Sequence, residues 1–244
     1  MINILFVEIN YIGWLVDLLS YKKVTIIIGL IFVFGIIYIA NIIVSGNHIP
    51  GTYISRPIET NAKVVQLNAP YISQQSDGAW NGCEAASLLE GFHEKGILSN
   101  TNLSDFLKQM PYSKNNNPNN GYAGSPYVKD QSNYSQSIYP KALSNWGNLY
   151  HHVSDMTGAT AKDLQNQVSN GNPVVTYIVS HYNETPEYQR YNWGTGIVNS
   201  HVVLMDGYER GYYHISDPNR GKYWVKANLF EKAYNYKRYA VAIQ

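Results

Sequence analysis

The stretch Asn81-Gly82-Cys83-Glu84-Ala85-Ala86-Ser87-Leu88-Leu89-Glu90-Gly91-Phe92 decides how this chain is read, and it holds the single cysteine. Apolar residues recur at Ala85, Leu88, Leu89 and Phe92, the spacing of one buried helix face. Gly96 stands where a left-handed residue can end that helix. Cys83 therefore falls in the first turn of a predicted helix, and Gly82 lets the chain turn tightly just before it. Unpaired backbone N–H groups and the positive dipole end favour a thiolate there. They also offer donors to an oxyanion forming beside the sulfur. A lone cysteine is most often a small buried hydrophobe. The Gly-Cys step at a helix start, with a histidine and an aspartate further on, argues for chemistry instead.

The chain has 244 residues, 45% of them hydrophobic and 14% charged, with a net charge of +1. That suits one domain of ordinary size plus an apolar segment. No basic block or stripe points to a nucleic-acid partner. One cysteine excludes an internal disulfide and any multi-cysteine metal site. Residues 24–44 (VTIIIGLIFVFGIIYIANIIV) carry no charge and would make about 31 Å of helix, enough to cross the hydrocarbon core. Lys22 and Lys23 precede that run, and the next basic residue after it is Arg56. The positive-inside rule then puts the lysines in the cytoplasm and the following domain outside. The expected organisation is a cytoplasmic or interfacial segment at 1–23, a transmembrane helix at 24–45, a linker at 46–63 and one domain at 64–244.

Within that domain, Asn102 to Met110 reads as a second helix with Leu103, Phe106, Leu107 and Met110 on one face. Residues 113–124 (SKNNNPNNGYAG) read as a polar mobile loop. Tyr139-Pro140 opens a short helix, and Thr160-Ala161-Lys162-Asp163 caps another that runs to about Ser169. From Pro173 the pattern changes to strands: Val174–Val179, His201–Met205, Tyr212–Ser216, Lys222–Val225 and Arg238–Ile243, with a helix near Ala227–Ala233. Helices first and an antiparallel sheet afterwards define an α+β class.

A cysteine nucleophile needs a base, and the base needs an orienting group. Of the seven histidines, His201 opens a predicted strand after Asn199-Ser200 and can stand at a sheet end. His214 lies inside an alternating strand, where a half-buried packing role is the default. A hairpin through the Asp206-Gly207 turn region would bring Asp217 back to the His201 end. Adjacent strands lie about 4.8 Å apart, within reach of the imidazole.

These segments resemble the bacteriocin-processing, C39-like cysteine peptidases, a papain-like group. The matching residues are Pro70-Tyr71-Ile72-Ser73-Gln74, Gly82-Cys83-Glu84-Ala85-Ala86-Ser87-Leu88, Gly171-Asn172-Pro173-Val174-Val175, His201-Val202-Val203-Leu204 with Gly207-Tyr208, and Ile215-Ser216-Asp217-Pro218. The resemblance implies a papain-like fold, with Cys83 as nucleophile, His201 as general base and then acid, and Asp217 orienting His201. It implies that Gln74 donates to the oxyanion, with Gln75 the alternative by distance to Cys83. A peptide or protein substrate is expected, with no cofactor and no metal. No G-x-x-x-x-G-K-[ST] stretch occurs, so ATP-driven export is not expected. Two rival readings are a cell-wall peptide amidase of related thiol fold and a non-catalytic surface binding or immunity protein.

Overall fold

The computed structural model describes residues 64–182 and 184–244. The expected segments at 1–23, 24–45 and 46–63 lie outside them. Among the described residues no helix is long and apolar enough to cross a membrane.

The helices are α1 (Cys83–Glu94), α2 (Leu103–Leu107), α3 (Pro140–Gly147), α4 (Ala161–Ser169) and α5 (Ala227–Asn235). The strands are β1 (Val65–Gln66), β2 (Val153–Asp155), β3 (Val174–Val179), β4 (Tyr188–Tyr191), β5 (Gly194–Ile197), β6 (Ser200–Glu209), β7 (Tyr212–Asp217), β8 (Gly221–Lys226) and β9 (Ala240–Ile243). Seven of these strands form an antiparallel sheet in the order β2-β9-β3-β6-β7-β8, with β1 also paired to β6. A separate hairpin, β4-β5, stands apart from it. The α+β class expected from the sequence is the class observed.

Strand alternation divides the core in two. Val175, Tyr177, Val202, Leu204, Val241 and Ile243 pack with α1, α2 and α3. Val174, Ile178, Val203, Met205, Ala240 and Ala242 pack with α4 and α5. Helices on both faces leave the central strand no solvated side, so β3 is buried along its whole length and reads as an unbroken apolar run.

α1 departs from the single buried face its spacing predicts. Every residue from Glu84 to Phe92 is buried, including two glutamates. Gly91 makes the close packing on the sheet possible: a Cβ there would lie 2.1 Å from Ile243 Cδ1 and 3.3 Å from Leu204 Cδ1. Gly96 ends the helix with φ of 74°, as its position suggested.

Other differences have local causes. α2 stops at Leu107, three residues before the expected end at Met110, but Leu103, Phe106, Leu107 and Met110 are all buried. The polar 113–124 stretch folds back on itself: Tyr122 N donates to the Pro111 carbonyl at 2.7 Å and Ser113 N to the Tyr122 carbonyl at 2.8 Å. The Asn117 side chain caps this loop by accepting from Asn119 N at 3.0 Å. Asp206-Gly207 is a bulge and not a turn; the register with β7 shifts between Met205 and Gly207, and the hairpin closes later, at Gly211 with φ of 82°. The Asp206 carboxylate turns to His214 Nδ1 at 2.5 Å and accepts Ala69 N at 2.9 Å.

Gly91→Ala should destabilise the fold by about 1–3 kcal/mol through overpacking. Adding Ile243→Val, which removes the clashing methyl, should recover part of that loss. Denaturant unfolding of the two single variants and the double variant checks both statements, since residues in contact couple in such a cycle.

Candidate active site

Cys83 is the first residue of α1, and its position depends on a tight turn. Gly82 N donates to the Ala79 carbonyl at 3.0 Å, and a Cβ on Gly82 would sit 2.9 Å from the Ala79 Cβ. α1 is then tied to β6 beside His201, where Ser87 Oγ donates to the Val202 carbonyl at 3.3 Å.

The His201 and Asp217 pair is formed by strand register. β6 and β7 pair Leu204 with Ser216, so Asp217 comes to lie diagonal to His201 at the sheet end. His201 Nε2 donates to Asp217 Oδ1 at 2.7 Å, with the two side chains 13% and 2% exposed. Asn219 N gives a second bond to Oδ1 at 2.8 Å, and Tyr223 Oη donates to Oδ2 at 2.8 Å. Tyr182 Oη lies 2.9 Å from Tyr223 Oη. Burial works to raise the Asp217 carboxyl, but the His201 ring and these donors outweigh it and hold the group at about 2.

Gln74 is buried and Gln75 exposed, which separates the two candidates. Gln74 N donates to the Pro218 carbonyl at 3.1 Å, so its backbone is pinned to the turn that follows Asp217. Its side-chain Nε2 donates to the Trp80 carbonyl at 2.7 Å, which leaves the second N–H of that amide uncommitted among the described residues. Gln75 instead reaches the Asn219 side chain at 3.3 Å.

Cys83, Gln74, His201 and Asp217 line one cleft of about 140 Å³. His181 lines it too, bonded to the Arg220 guanidinium, with φ of 61°. No hydrogen bond among the described residues joins the Cys83 sulfur to the His201 ring; the thiol donates to Glu84 Oε2 at 3.4 Å. Burial, then the Glu84 charge, push the thiol well above its usual range, against the pull of the Val202 backbone N–H. The helix end favours a thiolate, whereas desolvation and a neighbouring carboxylate oppose one.

Glu84, Glu90, Tyr182 and Tyr223 were not singled out from the sequence. Glu90 lies within the apolar run of α1 and accepts Ile72 N at 2.8 Å, holding the segment that leads to Gln74. Tyr223 is buried in β8, and alternation within the 222–225 strand is the signal that could have marked it as inward, though not its partner.

Comparison with known proteins shows the family and supports the fold. Residues 66–241 match the model of the Peptidase_C39 like family, and the chain belongs to that family. The uncharacterised protein YvpB of Bacillus subtilis is 28% identical over 171 residues, 63% of this chain and 61% of that protein. The chain thus spans about three fifths of the length of that curated relative. A crystal structure from Bacillus anthracis, described as a candidate C39-like peptidase, has a TM-score of 0.66 at 24% identity, covering 75% of this chain and 98% of that one. The likeness to the solved structure supports the fold.

Because folding lowers the Asp217 pKa to about 2, its stabilising share is complete above about pH 4 and is lost as the pH falls through 2. Asp217→Asn should cost about 2 kcal/mol at pH 7. The gap from the unsubstituted protein should close between about pH 4 and pH 2, as read by urea unfolding at each pH.

Proposed function

We propose that this chain is a membrane-anchored, extracytoplasmic cysteine peptidase of papain-like fold. The observation that carries this reading is the cleft shared by Cys83, Gln74, His201 and Asp217. His201 Nε2 is committed to Asp217, which leaves Nδ1 as the basic nitrogen of the ring. In the first step Nδ1 takes the Cys83 proton, and the sulfur attacks a peptide carbonyl carbon. The S–C bond forms, and the oxyanion receives the Cys83 backbone N–H and the free N–H of Gln74. The C–N bond then breaks as His201 returns the proton to the leaving amine. Water next gives a proton to Nδ1 and its hydroxyl to the acyl carbon. The S–C bond breaks, the carboxylic product leaves and the thiol is restored.

Asp217 keeps the ring in this tautomer, and its own three donors keep it charged. An aspartate in the third position supports the peptidase over a cell-wall peptide amidase, in which a second histidine often fills that place. Anchoring and orientation are supported by the sequence at 24–44 and by Lys22 and Lys23.

Peptide cleavage should be lost in Cys83→Ala and in His201→Ala. Gln74→Ala should lower kcat about 10²- to 10³-fold with little change in KM, the mark of a group used in the transition state. A fluorogenic peptide library, run beside purified peptidoglycan, measures both the turnover and the substrate class. Full turnover by Cys83→Ala would remove the peptidase assignment.

A further inference from the structure

Two cavities meet at Cys83. One is the cleft holding His201. The other, of about 370 Å³, is lined by polar side chains that include Asn81, Glu84, Gln131, Ser135, Ser137 and Gln189. Cys83 lines both, but its thiol hydrogen bond runs to Glu84, which lines the polar cavity.

Glu84 is 2% exposed, and both of its oxygens are in use. Oε2 accepts the Cys83 thiol at 3.4 Å. Oε1 accepts Ser137 Oγ at 2.5 Å and Ile138 N at 3.2 Å. The Ile138 carbonyl in turn accepts the Tyr177 hydroxyl from β3. The carboxylate is thus fastened to a loop that is itself fastened to the sheet, and it cannot follow the sulfur if the sulfur rotates.

We infer that Glu84 is a positioning residue: it holds the Cys83 sulfur in a resting orientation against the polar cavity, and the sulfur must leave Glu84 and turn to His201 before it can act. The last clause rests on the peptidase reading; the first does not. A buried carboxylate beside a thiol opposes its ionisation, so the resting sulfur keeps its proton until it turns away.

The other charged or titratable groups facing this pair come from several elements. Tyr122 and Tyr139 approach from the loops before α3, and Tyr177 from β3; burial pushes all three phenols upward, so they stay neutral at working pH. Asp217 of β7 adds a smaller charge effect on the sulfur than Glu84 does. Lys129, Asp130, Tyr134 and Tyr191 line the polar cavity, and His201 lines the other.

The test is the pH profile of Cys83 alkylation by iodoacetamide, with Glu84→Gln compared to the unsubstituted chain. Glutamine keeps an oxygen for Ser137 and Ile138 but carries no charge. The midpoint should fall by about one pH unit, making alkylation below it about tenfold faster, while the high-pH plateau stays the same. An unmoved midpoint overturns the inference. So does a raised plateau with an unmoved midpoint, since that reports a loosened helix and better access. The unsubstituted protein supplies an independent reading should the variant fail to fold: its midpoint should lie above about 8.5, and one at or below that value overturns the inference. Alkylation needs no substrate, so a protein that cleaves no peptide at all would defeat the peptidase assignment without touching this result.

Discussion

The rest of the molecule is arranged to accommodate one buried helix that carries charge. α1 is covered from Glu84 to Phe92, and burying a carboxylate without partners costs several kcal/mol. The structure meets that cost with backbone donors drawn from segments far along the chain. Glu84 takes Ile138 N, and Glu90 takes Ile72 N. These bonds fix the loop beyond Cys83 on one side and the approach to Gln74 on the other. The same two side chains that make the helix expensive to bury thereby register the walls of the cleft against the sulfur.

Burial alone does not decide where these acids titrate; the kind of group beside each of them does. Asp217 is as deeply buried as Glu84, yet it is pulled down to about 2, because His201, Asn219 N and Tyr223 all donate to it. Glu90 accepts Ile72 N, and burial pushes it well above its usual range against the pull of Ile72 N and the Ser216 hydroxyl. Glu84 falls between, raised by burial but held back by Ser137 and Ile138. Of these three acids, the one that is pulled down is the one that faces an imidazole ring.

The elements were legible where the sequence carries a local signal. Val174–Val179 is a strand with the bounds its apolar run suggests, and the Thr160 and Asp163 capping box opens α4 as read. Cys83 at a helix start, and His201 with Asp217 at a sheet end, followed from spacing and resemblance. What was not legible depends on distant partners. Asp206-Gly207 has the composition of a turn, and only the pairing of β1 at Gly207, with a Val65 carbonyl 2.7 Å from where a Cβ would sit, makes it a bulge. The β4-β5 hairpin lies in a Tyr- and Asn-rich stretch with no alternation to mark it. Glu84 and Glu90 look solvated in a sequence, because their donors, Ile138 N and Ile72 N, are invisible to any helical period.

The same reasoning explains why the helix dipole did not settle the state of the thiol. The first-turn position of Cys83 supplies donors worth about 1 kcal/mol at a helix end. Glu84, the next residue, is stabilised by that same end, and it accepts the thiol proton at 3.4 Å. An anion already occupying the positive end of a helix opposes a second one beside it. A sulfur in that position gains from the dipole only after it has moved out of the field of its neighbour, and the cleft that holds His201 is the space into which it can move. On this account, the helix end and the buried glutamate act at different stages: one favours the charged sulfur once it faces the imidazole, and the other keeps the proton on it until then.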